Sequence, residues 1–165
     1  MKDITNEEKG CAKINLALHV TGIQADGYHA LDSIVVFTDV FDRLFFKRSL
    51  KNVVTLTGEF SGSINVQENS ILQALKLFGN GLTDRFSINL EKNLPIGAGL
   101  GGGSADAAAV IRFITNNSKH PMPSYEVISK IGADIPACVL SVASRVGGIG
   151  AVSYTHLTLP TKRSV

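Results

Sequence analysis

The 165-residue chain contains no tryptophan, only two cysteines, and no apolar run approaching the ~20 residues of a bilayer-spanning helix. Cys11 and Cys138 are too few for a disulfide framework or a cysteine zinc site. His19, His120 and His156 show no metal-ligand spacing. Charge of one sign is scarce as well. Sixteen basic and 14 acidic side chains leave a net charge of +2, which argues against a dedicated nucleic-acid surface. Residues 152–165 hold Lys162 and Arg163 and no acidic group, so the two signs balance without them. The opening MKDITNEEKG is polar and partly acidic, unlike a secretory signal or a mitochondrial presequence. A hydrophobic share of 44% excludes a wholly disordered chain. A soluble, cytoplasmic protein with no membrane partner is the expectation.

Residues 12–20 alternate, with Ile14, Leu16, Leu18 and Val20 on one face and Lys13, Asn15, Ala17 and His19 on the other. A period of two predicts a half-buried strand with its apolar face inward. Asp26-Gly27 signals a turn. The β-branched and aromatic runs 33–40, 43–47 and 52–57 predict further strands, making the first third a β-meander. Asn69-Ser70 supplies N-cap chemistry for a helix carrying Ile71, Leu72, Leu75 and Phe78. A strand is expected over 86–90, an alanine-rich helix from Ser104 to about Ile114, and a short helix after Ser124. The segment from Ala133 to Gly150 reads as a turn and a strand. Strands and helices mix without a regular βαβ rhythm, which predicts an α+β fold.

Glycine is what the chain has in quantity, and it is concentrated. Gly97, Gly99, Gly101, Gly102 and Gly103 fall within ten residues, directly before the alanine-rich helix. Glycines let several backbone N–H groups converge on one point, and a helix N-terminus adds partial positive charge there, so the segment suits an anion. Ser104 can cap the helix or donate to a phosphate. A Walker-type loop needs Gly-Lys-Ser/Thr, and no lysine lies between Lys92 and Lys119. Gly97, Gly99 and Gly102 satisfy the dinucleotide pattern, but Glu91 to Pro95 separate them from the preceding strand, which is the wrong context.

The ordered run Pro95, Gly97, Gly99, Leu100, Gly101, Gly102, Gly103, Ser104, Ala105 closely resembles the phosphate-binding motif of the GHMP small-molecule kinases, named for galactokinase, homoserine kinase, mevalonate kinase and phosphomevalonate kinase. Three further segments, Ala12 to Leu16, Ala25 to His29 and Gly132 to Pro136, are similar to those of the family member acting on a cytidine-diphosphate methylerythritol. The resemblance implies an α+β GHMP kinase N-terminal domain over residues 1–151, a fold also found in a ribosomal protein, with the C-terminal kinase domain missing. It implies ATP-dependent phosphorylation of the 2-hydroxyl of that small-molecule substrate in non-mevalonate isoprenoid synthesis. Mg2+ would arrive on the nucleotide phosphates, with no protein ligand assigned. Asp134 is then the general base and Lys13 its electrostatic partner, although a turn aspartate and a solvated lysine are the plain alternatives. The glycine loop from Pro95 to Ala105 would hold ATP, and Asn69 would lie near its adenine or merely cap a helix. Asn15, Tyr28, His29 and Ile149 would contact substrate, the Tyr28-His29 pair stacking on the cytosine or packing over a strand edge.

A homoserine or mevalonate type of the same family, or a nucleotide- or RNA-binding module on the same scaffold, are the competing readings. Residues 93–111 contain no Lys or Arg, against an RNA-binding loop, and no nucleic-acid partner is expected. Homodimer formation stays open. The match to the family ends at Gly150. Residues 152–165, VSYTHLTLPTKRSV, resemble a translated sequencing-library adapter and read as a non-native tail. The 165-residue chain by itself is expected to show little or no activity.

Overall fold

A computed structural model describes residues 6–23, 29–63, 70–79, 84–118, 120–148 and 152–154. Two long strands, β1 (Asn6–Ile23) and β2 (His29–Ser49), form an antiparallel hairpin. They are followed by β3 (Val53–Thr57), α1 (Ser70–Lys76), β4 (Arg85–Glu91), α2 (Gly102–Asn117), α3 (Tyr125–Ser129), α4 (Ile135–Leu140), β5 (Ser144–Gly148) and β6 (Val152–Tyr154). The sheet runs β3-β4-β2-β5-β6, with β1 on β2. The architecture is α+β, as expected.

The β-meander is not what forms. The runs 33–40 and 43–47 belong to one strand, and β3 pairs with β4 in parallel rather than with β2. Long β2 reaches three partners because β4 takes its C-terminal end, β5 its N-terminal end and β1 its other edge. A second correction concerns α4. The segment 135–140 is a helix where a turn leading to a strand was expected, and the strand follows only at Ser144. Pro136 suits the first turn of a helix, where its missing N–H leaves no intrahelical bond unmade.

The core lies between the sheet and α2. Phe86, Ile88 and Leu90 alternate inward on β4, beside Leu44 and Phe46 of β2. Helix α2 buries every residue from Ala105 to Ile111 together with Phe113 and Ile114. Its small side chains let the helix approach β1, α1 and α4 closely. Phe113 fills the remaining space, stacked on Phe46 at 3.8 Å and edge-on to Phe86 at 5.3 Å.

The apolar face predicted for β1 is not in this core. Ile14, Leu16, Leu18 and Val20 are 39–65% exposed, whereas Lys13 is buried. Asn15 and His19 on the opposite face are exposed too, so beyond Lys13 this strand has neither face covered. Register shifts at Cys11/Lys13, Asn15/Ala17 and Val20/Gly22 also interrupt its regular pairing with β2. Of the segment read as a non-native tail, Val152–Tyr154 pairs with β5, and residues 155–165 lie outside the described residues. Among the described residues no helix is long and apolar enough to cross a membrane.

Phe113→Ala should therefore cost about 3–5 kcal/mol in urea unfolding, the range for emptying a packed aromatic site. Leu50→Asp, at a fully exposed position, should change stability by less than about 0.5 kcal/mol. Equal effects of the two substitutions would contradict this placement of the core.

Candidate active site

Lys13 is held at both ends. Its backbone N–H donates to Leu100 O at 2.8 Å, which ties β1 to the glycine loop. Its side chain is 4% exposed, and the ammonium donates to Asn15 Oδ1 at 3.0 Å and lies 3.3 Å from Asp134 Oδ2. Asn15 is steadied by Ser33, whose hydroxyl donates to Ala17 O at 2.8 Å and lies 3.3 Å from Asn15 Oδ1. Ser33 is buried and was not singled out in the sequence.

Asp134 occupies the N-cap position of α4, yet its side chain makes no capping bond. Pro136 is the reason the sequence offers, since proline at the second helical residue removes one N–H that a cap would use. The carboxylate turns to Lys13 instead and remains 48% exposed. Four residues on, burial and then the Asp134 charge push the Cys138 thiol up to about 12, so it stays protonated.

In the loop, Gly97, Gly99 and Gly101 have φ of 74°, 73° and 67°, a region where side chains are strained. A Cβ on Gly101 would lie 3.4 Å from both Cβ and Cε of Lys13. Pro95, Gly97 and Gly99 are exposed, whereas Leu100 is half-buried. Helix α2 begins at Gly102, not at Ser104, and Gly101 is its N-cap with no side-chain bond. Ser104 is therefore not the cap; it sits in the first turn, with Gly132 packed near its hydroxyl. Ala105 N–H makes the first helical bond, to Gly101 O at 2.9 Å. The N–H groups of Gly102, Gly103 and Ser104 have no intrahelical acceptor, as in the first turn of any helix. They suit a phosphate, and α2 adds its dipole. Gly103 O accepts from Ser70 Oγ at 2.7 Å, joining α1 to the same turn.

Beneath the loop lies a charged cluster not expected from the sequence. The buried Lys92 ammonium donates to Asp42 Oδ2 and, at 2.9 Å, to Asp106 Oδ2. Asp42 Oδ1 accepts from Asn93 N–H at 2.6 Å and Leu94 N–H at 2.8 Å. Asp106 Oδ1 is buried without a hydrogen-bond partner among the described residues. Burial would lower Lys92, but the Asp106 and Asp42 carboxylates outweigh it and hold the ammonium raised. Burial pushes Asp106 up to about 7, with Lys92 opposing and Asp42 reinforcing. An acid standing alone in the run Ala105 to Ile111 is the one signal that could have pointed to it.

The structure thus brings Lys13, Asn15, Asp134 and the loop from Leu100 to Ser104 together. Ala105 is buried behind them. His29 opens β2, paired with Ile23, and only its backbone is described. Tyr28, Asn69 and Ile149 lie outside the described residues. Among the described residues no three His, Cys, Asp or Glu side chains group as a metal site.

Residues 69–151 match the GHMP kinases N terminal domain. The chain is 41% identical over 142 residues to a 4-diphosphocytidyl-2-C-methyl-D-erythritol kinase of Cereibacter sphaeroides, covering 86% of this chain and 50% of that protein. It is 44% identical over 151 residues to the protein of the same name from Rhizobium johnstonii, covering 87% and 50%. The chain thus spans about half the length of these curated relatives. A crystal structure of 4-(cytidine 5'-diphospho)-2C-methyl-D-erythritol kinase superposes with a TM-score of 0.75 at 31% identity, over 94% of this chain and 56% of that one. The Methanococcus jannaschii mevalonate kinase, at 15% identity and a TM-score of 0.57 over 96% of this chain and 57% of its own, shares the fold.

A pH dependence follows from Asp106. Its carboxyl holds a proton up to about pH 7 in the folded chain, against an ordinary value of 3.8. The folded state therefore binds the extra proton between these values. Asp106 favours folding most below about pH 4, and that contribution is lost as pH rises to about 7. Asp106→Asn cannot titrate, so its stability should fall less steeply across this window, by up to ~1.4 kcal/mol per pH unit. Urea unfolding of both proteins from pH 4 to pH 8 measures the difference. Parallel profiles would contradict the assignment.

Proposed function

The chain belongs to the GHMP kinases, and from that premise we propose that its protein phosphorylates the 2-hydroxyl of 4-diphosphocytidyl-2-C-methyl-D-erythritol with ATP. The observation that carries the reading is the Lys13–Asp134 contact of 3.3 Å, in a lysine whose own N–H is bonded to the glycine loop. A charge pair placed beside an anion cradle suits transfer of a phosphoryl group to a hydroxyl. The relatives' names supply the substrate, since the geometry alone leaves the acceptor open.

In this reading the first-turn N–H groups of α2 and the loop amides hold the nucleotide phosphates. ATP supplies the transferable phosphoryl group, and Mg2+ comes with it, held largely by phosphate oxygens. Asp134 accepts the proton of the substrate hydroxyl as that oxygen forms its bond to the γ-phosphorus and the bond to the bridging β-phosphate oxygen breaks. ADP and the phosphorylated alcohol leave. The Lys13 ammonium, 3.3 Å from Asp134, steadies negative charge developing at the transferring group. Asn15 orients Lys13 and faces the substrate. Tyr28, His29 and Ile149 are assigned to the cytosine, and Asn69 to the adenine side. The protein is placed in the cytoplasm, without nucleic-acid or membrane partners.

The test is a coupled assay of ADP release by the protein at its relatives' length, offering the cytidine-diphosphate methylerythritol, homoserine or mevalonate. Turnover of the first alone is expected, and Lys13→Met or Asp134→Asn should each lower kcat by ~100- to 10,000-fold. Full turnover by either variant would sink the site assignment. Preference for homoserine or mevalonate would sink the substrate. The 165-residue chain by itself should bind ATP but show little or no turnover.

A further inference from the structure

A loop with five glycines is poorly suited to holding its own shape, because glycine has the widest choice of backbone conformations. An anion cradle made of N–H groups nevertheless requires those groups to point at one place. The loop is pinned on one side by Lys13, through its bond to Leu100. The second pin is the buried cluster, which the phosphoryl-transfer reading leaves without a role.

We infer that Lys92 is a positioning residue for the phosphate loop, its ammonium tying the strand end that enters the loop to the helix that leaves it. The inference rests on the reading of this loop as the nucleotide site. On the entering side, Asp42 accepts the N–H groups of Asn93 and Leu94, the last residues before Pro95. On the leaving side, Asp106 lies in the second turn of α2, whose first turn carries Gly102 to Ser104. One ammonium joins the two carboxylates. The Lys92 backbone is fixed as well, its N–H donating to Thr57 O at 2.7 Å and its carbonyl accepting from Phe60 N–H at 3.1 Å.

Two glycines show how closely the chain is drawn onto this cluster. A Cβ on Gly102 would lie 3.0 Å from Lys92 Nζ, 3.6 Å from Asp42 Oδ2 and 3.7 Å from Leu94 Cβ. One on Gly10 would lie 2.7 Å from Asp106 Oδ1. Backbone from β1 and from the loop's end thus packs directly against the charged atoms. A buried ion cluster is a poor device for stability alone, since apolar side chains of similar volume commonly serve as well or better. What it supplies is direction. A carboxylate bonded to two successive N–H groups sets the path of the chain at Asn93-Leu94 in a way that an apolar contact would not.

The experiment uses the 165-residue chain, with amide hydrogen exchange by NMR and ATP titration. The reporters are the Lys13 amide, bonded to Leu100, and the Ala105 amide, bonded to Gly101; the β4 amides report global opening. Removing Lys92 alone would strand two carboxylates and risks unfolding. The informative variants are therefore Asp106→Asn and the charge-free triple variant Asp42→Asn with Lys92→Met and Asp106→Asn. In the triple variant, exchange at Lys13 and Ala105 should quicken about tenfold or more while β4 exchange holds, and the ATP Kd should rise about tenfold. Asp106→Asn, which keeps the Lys92–Asp42 bond, should give a smaller change in the same direction. Unchanged exchange at both reporters in the folded triple variant would overturn the inference. Equal quickening of the β4 amides would overturn it too, by making the cluster a general stability device. Quickened reporters in a chain whose parent binds no ATP would uphold the positioning role and refute the nucleotide reading instead.

Discussion

Backbone amides can bind an anion only where the backbone is held, and this constraint organises the site. The glycines that let the loop turn through φ of about 70° at three positions also deprive it of side chains with which to anchor itself. Anchorage has to come from outside. It comes from β1, whose Lys13 N–H reaches Leu100 O, from α1, whose Ser70 reaches Gly103 O, and from the acids around Lys92. Strand, helix and buried charge meet at one short segment because that segment contributes nothing to its own rigidity.

The same constraint explains why the fold places α2 where it does. A helix that must present its N-terminus to a loop cannot also drift on the sheet, and close packing fixes it. Six small or β-branched positions, Ala105 and Ala107 to Ile111, are buried with little side-chain bulk near the N-terminus, and the large Phe113 comes later, over Phe46 and Phe86. Small residues bring the helix close to β1 near the loop, and the aromatic cluster holds its far end.

Much of this was legible in the sequence, and the reasons are physical. A dense glycine run before an alanine-rich helix constrains local geometry strongly, so the loop and α2 could be placed from the residues alone. Lys13 and Asp134 were found by resemblance, since neither residue type carries a signal of its own at those spacings. What failed were inferences depending on distant partners. The alternation at Ile14 to Val20 predicted a buried apolar face, but no layer of the described fold covers this end of β1, and Asn15 and His19 on the other face are exposed as well. The parallel pairing of β3 with β4 joins segments separated by α1, which no local pattern encodes. Helix α4 was missed because the run after Asp134 is apolar without a clear period, and α2 was started at Ser104, not Gly102, because a serine before alanines is a stronger helix-start signal than glycine. The Lys92 cluster draws on residues 42, 92 and 106, which only the fold brings together.

The two lysines divide the work by their exposure and partners. Lys92 faces two carboxylates and is sealed from water, so its charge is spent on geometry. Lys13 is equally buried, but its acid partner stands half in solvent. That asymmetry suits the proposed chemistry. A group that acts through its field works best where water cannot screen it, while a base must reach the proton it removes and so has to stand open to substrate. Were Asp134 capping α4, as its position invites, its carboxylate would turn to the helix and away from Lys13, which would be a buried charge with only an amide for company. Pro136, by withdrawing one capping donor, favours the orientation in which strand β1 and helix α4 share a charge pair beside the loop.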